Sequence, residues 1–284
     1  MEQEGIIRLS IFFGLFFVFA ATEYIFPRRI VTKSKARRWI TNWSVSFLNV
    51  LTLRLFSFAL PLLAIGAAFD AQNLGIGLFD RIEFPFWIEL ILVILLLDFF
   101  IWLQHLLTHK IGFLWRIHRV HHSDTEMDIS TAIRFHPIEI ALSMALKIGL
   151  VYALGADPLL VLTFEILLNG SSMFNHANIK IPNQIDKFLR LLIVTPDMHR
   201  IHHSSDRIEH DTNFGFALSI WDHIFLTYKS YPKNSHKDME VGLNWQDEKP
   251  EKLGWSLGPV SYTHLRAHET SLHLVCRLLL EKKK

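Results

Sequence analysis

The sequence LWRIHRVHHS at residues 114–123 decides both the fold and the site of this chain, and MHRIHHS at residues 198–204 repeats its pattern. Each copy places three histidines at positions i, i+3 and i+4, which share one face of a helical turn. Just upstream, HLLTH places two more at i and i+4, which face one way for the same reason. The eight histidines of these motifs are His105, His109, His118, His121, His122, His199, His202 and His203. Because neutral imidazole is a common metal ligand, the three same-facing sets predict a site for two metal ions.

The C-terminal segment, residues 260–284, is interpreted as foreign to the protein. Its two ends, VSYTHLRAHET and LVCRLLLEKKK, back-translate into the two halves of a sequencing-library adapter, separated by a gap the length of a sample index. Such segments are set aside before fold reasoning, so we expect one native domain over residues 1–259, with its true C-terminus missing. The side chains of this tail that would otherwise resemble ligands are His264, His268, His273 and Cys276.

Composition favours a membrane protein and gives no support to nucleic-acid binding. Half of the residues are hydrophobic and the mean hydropathy is +0.26, values typical of a membrane protein. The tail carries five basic and two acidic residues, and the rest of the chain has 24 basic and 25 acidic residues. No excess of positive charge remains to favour a nucleic acid as partner. The single cysteine excludes an intrachain disulfide.

Apolar runs predict an all-α membrane bundle of about four spans, with a histidine-rich helical cap on the cytoplasmic side. The predicted spans are residues 6–26, 43–69 and 86–107, followed by a hairpin at 138–173. The basic loop after the first span is cytoplasmic by the positive-inside rule, which places the N-terminus outside. The hairpin turns at GADP and its arms either span fully or re-enter, so residues 105–136 and 174–228 form the cap on one side. A single tilted span at 138–173 would instead move the second histidine motif to the far side.

Asp98 is a carboxylate inside the third predicted span, on one helical stripe with His105 and His109. A charge in the hydrocarbon region needs a partner, and the second N–H of a ligand histidine is a suitable donor. Asp98 is therefore a candidate supporting group of the metal site, and the alternative is a polar contact within the bundle that has no metal role.

The second arm of the hairpin carries a polar stripe of Glu165, Asn169, Ser172 and His176 that ends at the same inner face. We expect His176 to be a ligand and Asn169 to be an additional or supporting group. His136, before Pro137, is either a ligand or a supporting or helix-capping residue, and His210 is a candidate supporting group. His223 and His236 are expected to be solvated.

The order of the motifs HLLTH, LWRIHRVHHS, TAIRFHPIE, FNHAN, TPDMHRIHHS and HDTNFGFALSIWDHIFLTY resembles the fatty acid hydroxylase and sterol desaturase superfamily. The likeness covers most of residues 98–228. It departs at Leu106, where an arginine is common, and at Leu226, where the usual F-G-T-Y has glycine, and both departures leave the subfamily open.

The resemblance implies an integral membrane oxygenase with two iron ions, which uses O2 and electrons from an external carrier to hydroxylate or desaturate a lipid. The implied ligands are His105, His109, His118, His121, His122, His176, His199, His202 and His203. The carrier is expected to be a separate haem, iron–sulfur or flavin protein, because no carrier motif is fused to the chain. No glycine-rich dinucleotide fingerprint follows a strand, so no nicotinamide cofactor is expected.

A reaction on an unactivated C–H bond must be shielded from water, which predicts a pocket that opens to the bilayer. Phe99, Phe100, Trp102 and Leu103 are candidates for its wall, with lipid-facing or bundle packing as the alternative for each. The substrate is a fatty acyl lipid, a sterol or a related lipid, with ether lipids and carotenoids left open.

Two other classes of protein fit part of the pattern. A histidine-rich membrane transporter or binding protein for zinc would place its ligands near the bilayer midplane along a path. The predicted topology puts the histidines at the cytoplasmic ends of the helices, which favours the enzyme. An inactive scaffold that retains the motifs has no positive feature in its favour.

Overall fold

A computed structural model of the chain describes residues 2–59, 63–244 and 249–257, and these ranges contain helices and isolated β-bridges but no β-strand. The all-α class is confirmed. Residues 260–284 lie outside the described ranges, so the origin of this segment stays a prediction. The α-helices are α1 Glu2–Ile25, α2 Lys35–Ala59, α3 Ala64–Leu74, α4 Leu78–Arg81, α5 Phe86–Lys110, α6 Gly112–His122, α7 Pro137–Leu154, α8 Pro158–His176, α9 Asn183–Leu189, α10 Pro196–His202, α11 Arg207–His210, α12 Ile220–Ile224 and α13 Leu253–Leu257. Two 3₁₀-helices cover Ile129–Ile133 and Lys249–Glu251.

Five long helices form the membrane bundle. Among the described residues, three segments are long and apolar enough to cross a membrane, Gly5–Ile25, Phe86–Lys110 and Pro137–Leu154. The helix α8 packs against α1 and α5, and α2 packs against α7. The chain is therefore an integral membrane protein, as predicted. Three described helices are long and apolar enough to cross a membrane, whereas about four spans were expected.

The second predicted span, residues 43–69, is not one helix. The structure has α2 up to Ala59 and a separate helix α3 from Ala64. Small side chains on α3, among them Ala64, Ala67 and Ala68, are buried almost completely against the rest of the bundle. Because α3 packs on α7 and α8, this alanine face allows a close approach to the hairpin.

The predicted hairpin is present as α7 and α8, each begun by a proline behind a capping residue. The backbone N–H of Leu159 donates to the Asp157 carboxylate at 2.7 Å, a cap that stabilises the start of α8. The backbone N–H of Asp157 also donates to the Glu89 carboxylate at 3.3 Å, so the hairpin tip lies beside the start of α5. From this level α8 rises about 27 Å to His176 and α5 about 24 Å to His105. The two arms are thus as deep as α5, and the histidine-bearing ends of α5 and α8 lie together.

Gly155 ends α7 in the left-handed conformation, with φ of 65°. A Cβ atom at this position would lie 2.8 Å from the Cα of Gly77 and 2.5 Å from a carboxylate oxygen of Asp80. We expect Gly155→Ala to destabilise the protein by about 1–2 kcal/mol from the backbone conformation alone, with the steric overlap added. Gly149→Ala is the matched control, because a Cβ atom there meets nothing within 4 Å and alanine favours a helix interior. Thermal unfolding in detergent should show a clear loss for the first variant and none for the second; equal unfolding temperatures would contradict the close contact at the turn.

A buried ionic network fixes the cap to α2. The Arg38 guanidinium donates to Asp124 at 2.6 and 3.0 Å and to Asp128 at 2.9 Å. Arg134 donates to the carbonyl oxygen of Val120, at 2.8 Å, just before the last two histidines of α6. Burial raises the pKa of Asp124, but the Arg38 guanidinium and its hydrogen bonds outweigh it and lower that pKa to about 2. The carboxylate stays ionised, and the network holds the end of α6 in place.

Candidate metal centre

All nine histidines expected as ligands lie together, and none of them is more than 4% exposed. They form two adjacent clusters, within each of which the candidate ligand atoms lie within 4.8 Å of one another. The five-histidine cluster contains His105, His109, His118, His122 and His202. The four-histidine cluster contains His121, His176, His199 and His203. The clusters touch where the rings of His122 and His203 stack with centroids 4.5 Å apart.

Each of the two repeated motifs contributes to both clusters. In α6, His118 and His122 face the five-histidine cluster while His121 faces the other. At α10 the assignment is reversed, since His199 and His203 face the four-histidine cluster and His202 the other. The helices α5 and α8 contribute to one cluster each. The two H-x-x-H-H motifs therefore build the centre together with the histidines of α5 and α8.

The ring nitrogens converge more closely than hydrogen bonding among them can explain. His176 Nε2 lies 3.0 Å from the Nε2 of His121, 3.1 Å from that of His199 and 3.2 Å from that of His203. An imidazole nitrogen has one proton or one lone pair, so it cannot bond to all three. Nitrogen ligands about 2.1 Å from a metal ion and at right angles lie about 3 Å apart. The spacing fits a shared metal ion.

The five-histidine cluster shows the same convergence and also unpartnered nitrogens. His105 Nε2 lies 3.1 Å from His118 Nε2 and 2.9 Å from His202 Nε2. Both ring nitrogens of His109 and the Nε2 of His122 are buried without a hydrogen-bond partner among the described residues. Buried polar atoms without partners are unfavourable, so these nitrogens also fit metal ligation.

The far side of five rings is held by an acceptor, which fixes the tautomer. The Nδ1 atoms of His105, His118, His121, His176 and His202 lie 2.6 to 3.2 Å from oxygen atoms of, respectively, Phe214, Glu139, Arg134, Ser172 and Thr212. Four of these acceptors are backbone carbonyls and the fifth is the Glu139 carboxylate. Because an acceptor requires the proton on Nδ1, the lone pair of Nε2 points into the centre, as in known metal sites.

Burial favours the neutral form of five histidines in the cap. Burial, and next the neighbouring rings, lower the pKa of His121, His122, His199, His202 and His203 well below its usual range. Neutral imidazole is the form that binds a metal ion, so these five histidines are in the required state.

Asp98 does not contact a histidine, and the expectation that a histidine N–H would donate to it is wrong. Its carboxylate accepts from the backbone N–H groups of Ala217 and Leu218, both at 3.3 Å, and from the Trp221 indole at 2.9 Å. Asp98 lies two turns, about 10 Å, before His105 along α5, too far for direct contact. It anchors the loop whose Phe214 carbonyl accepts from the His105 ring.

The other candidate residues lie outside the two clusters. Asn169 donates to the backbone carbonyl of Glu165 at 2.8 Å. His136 accepts from the backbone N–H of Ile138 and caps α7, as the capping alternative predicts. His210 lies at the edge of the five-histidine cluster, where its ligand atom approaches those of His109 and Asp211.

His223 and His236 are not solvated as expected. His223 Nε2 lies 3.1 Å from the carbonyl oxygen of Arg190. His236 is part-buried and its ring lies 3.7 Å from Asp197, among several arginines. Burial first, opposed by Asp197, lowers the pKa of His236 to about 4.

The stability of the cap should therefore depend on pH through His236. In the unfolded chain this ring takes up a proton near pH 6.5, whereas in the folded chain it stays neutral down to about pH 4. The contribution of the neutral His236 ring to the free energy of unfolding is present above pH 6.5. It falls by on the order of 2 kcal/mol between pH 7 and pH 5. Between pH 7 and pH 5, the unfolding temperature of His236→Gln should fall less steeply than that of the parent chain. An identical slope in both proteins would contradict the assignment.

Two acidic residues of the site were not foreseen from the sequence. Glu139 accepts from the His118 ring at 2.6 Å, and Asp222 accepts from the backbone N–H groups of Phe214 and Gly215, both at 2.8 Å. Glu139 could have been suspected as a carboxylate at the start of an apolar helix. Nothing in the local pattern of Asp222 indicates that it shapes the loop beside His105.

A mostly apolar, partly open cavity of about 430 Å³ lies among the bundle helices and reaches His105 and His118. Its wall is contributed by α1, α2, α5, α7 and α8, with Phe12, Leu53 and Met144 among its apolar residues. The predicted wall residues Phe99, Phe100, Trp102 and Leu103 do not line it. The rings of Phe99 and Trp102 instead pack on Trp221 and Phe225, at centroid distances of 5.0 and 4.6 Å.

The fold and the site define an all-helical integral membrane protein with a buried histidine centre that could hold metal ions, beside a mostly apolar cavity. Residues 90–227 match the fatty acid hydroxylase family, so this region of the chain is similar to members of that family.

Three curated relatives are similar to the chain. An ornithine lipid hydroxylase of Rhizobium tropici is 30% identical over 56% of the chain and 47% of the relative. The alkylglycerol monooxygenase of Homo sapiens is 30% identical over 47% of the chain and 29% of the relative. A very-long-chain aldehyde decarbonylase of Oryza sativa subsp. indica is 25% identical over 61% of the chain and 26% of the relative. The chain thus covers less than half the length of each. No solved structure matches it.

Proposed function

We propose that the chain is a di-iron oxygenase that hydroxylates a membrane lipid with O2 and electrons from an external carrier. The observation that carries the proposal is the apolar cavity, which reaches two rings of the five-histidine cluster, His105 and His118. A lipid chain fits such a cavity, and a metal centre beside it is placed to act on the bound lipid. Hydroxylation is preferred over desaturation because two of the relatives are named as a hydroxylase and a monooxygenase.

The histidine ligands suit iron, and other features of the protein orient the ligands and exclude water. The nine histidines of the two clusters would hold two iron ions, since imidazole nitrogen is a common ligand of iron. When bound, iron would supply the activation of O2, so that one oxygen atom enters a C–H bond and the other leaves as water, with two electrons and two protons consumed. Glu139 holds the proton at His118 Nδ1 and thereby fixes the direction of that ring. The complete burial of the rings excludes bulk water from the centre.

The active site is proposed to face the cytoplasm, where a haem, iron–sulfur or flavin protein would deliver the electrons. The loop between α1 and α2 and the first turn of α2 support this orientation, because Lys33, Lys35 and Arg37 are exposed there. The same loop is tied to α10 by Arg28, whose guanidinium lies 2.9 Å from Asp197. The basic loop and the histidine centre therefore lie on one side of the bundle.

A zinc transporter remains the alternative class of protein, and the position of the histidines argues against it. Transport predicts ligands along a path near the middle of the bundle. In the described part of the chain, the two histidine clusters lie at the ends of α5 and α8.

Lipidomics under isotopically labelled oxygen tests the proposal. Cells that express the chain should contain a lipid that carries one labelled oxygen atom, and cells that express His118→Ala at the same level should lack it. Zinc uptake into proteoliposomes that depends on His199, without any labelled lipid, would favour the transporter instead.

A further inference from the structure

The wall of the cavity contains polar oxygen atoms without partners. Four of them are Asn49 Oδ1, Gln104 Oε1, Glu139 Oε2 and Ser172 Oγ, each buried with no hydrogen-bond partner among the described residues. All four residues line the same cavity. Three of these atoms can only accept a hydrogen bond, and the serine hydroxyl can accept as well as donate. A buried acceptor that stays unpaired is unfavourable by about 1–3 kcal/mol, so the four indicate a ligand that donates.

The residues that carry these oxygen atoms are linked to candidate ligands by the chain or by contacts. Gln104 precedes His105 in α5, and the other carboxylate oxygen of Glu139 accepts from the His118 ring. The backbone carbonyl of Ser172 accepts from the His176 ring. The Asn49 amide donates at 3.0 Å to the carbonyl of Phe135, whose ring stacks on His121 with centroids 4.2 Å apart. Gln104, Glu139 and Ser172 are thus directly linked to a candidate ligand, and Asn49 is linked to one through Phe135.

The charged groups elsewhere in the cavity are already paired. Lys147 lies 2.7 Å from one oxygen of Glu165, and Arg8 lies 2.9 Å from the other. Glu165 precedes His176 by three turns of α8, about 16 Å along the helix. Glu165 is thus separated from the candidate metal centre along α8, whereas Gln104 is adjacent to His105 and Glu139 contacts His118.

We infer that the substrate binds with its polar end at the metal centre and its hydrocarbon chain toward α1 and α2, so that oxidation occurs in or beside the polar group. The polar end carries hydrogen-bond donors, either hydroxyl or ammonium groups. This inference rests on the proposed function for the oxidation step, whereas the direction of binding is independent of it. The apolar side chains of Phe12, Phe13 and Leu53 then contact the chain of the lipid.

Binding without turnover tests the direction. The purified full-length protein, without a reductant, is titrated with three lipids of equal chain length: hexadecylglycerol, hexadecylamine and hexadecyl methyl ether, the last without any donor. At least one of the first two should bind about tenfold more tightly than the ether, and the stronger one identifies the donor as hydroxyl or ammonium. Equal binding of all three lipids would overturn the inference.

Variants of the wall separate recognition from folding. Gln104→Leu and Ser172→Ala should each weaken binding of the preferred lipid about fivefold and leave binding of the ether unchanged. Because each removes an unpaired polar atom, neither should lower the unfolding temperature of the lipid-free protein. Thr163→Val is the matched control on α8, since Thr163 bonds to its own helix. Unchanged affinity in both wall variants would refute the assignment.

The position of oxidation completes the test. Lipid deuterated only at the far end of its chain should keep all its deuterium in the product. Loss of that deuterium would overturn the direction even if donors improve binding. Donor-selective binding without any oxidised product would support the direction and contradict the proposed function.

Discussion

Replacing His176 by alanine is expected to lower the iron content of the purified protein from two ions per chain to one. His176 is the ring to which all other members of the four-histidine cluster come within 3.0 to 3.2 Å, so its loss removes the shared corner of that cluster. The five-histidine cluster keeps all its rings. Metal analysis by mass spectrometry gives the stoichiometry directly. Lipid oxidation should fall by more than the 10–100-fold typical of residues that only support a ligand.

His202→Ala gives the reciprocal test, because this ring belongs to the five-histidine cluster. It should likewise remove one ion, and the double variant should bind none. His223→Ala is the control, since its ring is part-buried beside Tyr228, at a centroid distance of 4.1 Å, and lies in neither cluster. A full complement of two ions in His176→Ala would refute the division of the histidines into two sites.

Replacing Arg38 by methionine is expected to destabilise the protein by about 3–5 kcal/mol, because two carboxylates are then buried without their partner. The guanidinium of Arg38 is 2% exposed and contacts both Asp124 and Asp128. Without it, the two carboxyl groups are buried either as unpaired charges or in their protonated form, and either result favours the unfolded chain. The effect should appear as a large fall of the unfolding temperature in detergent and as poor recovery of folded protein.

Arg37→Met is a closely matched control for this variant. Its side chain is 64% exposed and lies 3.3 Å from Glu251, an ion pair worth less than about 1 kcal/mol. Arg38→Lys should fall between the two, because it restores the charge without the paired hydrogen bonds of the guanidinium. Similar unfolding temperatures for Arg37→Met and Arg38→Met would show that the network does not hold the cap.

Helical periodicity predicted most of the fold and the cluster of candidate ligands, because both depend on local spacing. The i, i+3, i+4 pattern was sufficient to group the rings of His118, His121 and His122, and the apolar runs located the hairpin. The division of each motif between two clusters could not be predicted, since it depends on how α6 and α10 cross. Spacing along one helix carries no information about that crossing.

Contacts between distant segments account for the errors. Asp98 was assigned a histidine donor because both lie on one stripe of α5, but residues 217–221, from more than a hundred positions later, occupy its carboxylate. The pairing of Lys147 with Glu165 could have been anticipated from their similar distances to the turn at Gly155. Pro61 is a local signal for an interruption near the end of α2, whereas the packing of α3 on the hairpin is a contact that no local signal displays.

The crossed arrangement of the two H-x-x-H-H turns has a consequence for assembly. An ion in either cluster connects α6 with α10, because both helices contribute to both clusters. The first ion bound would therefore fix α6 and α10 more firmly relative to each other and favour binding of the second, so we expect cooperative loading with few chains that hold a single ion. A wild-type preparation supplied with half the required iron should consequently contain a mixture of fully loaded and metal-free molecules.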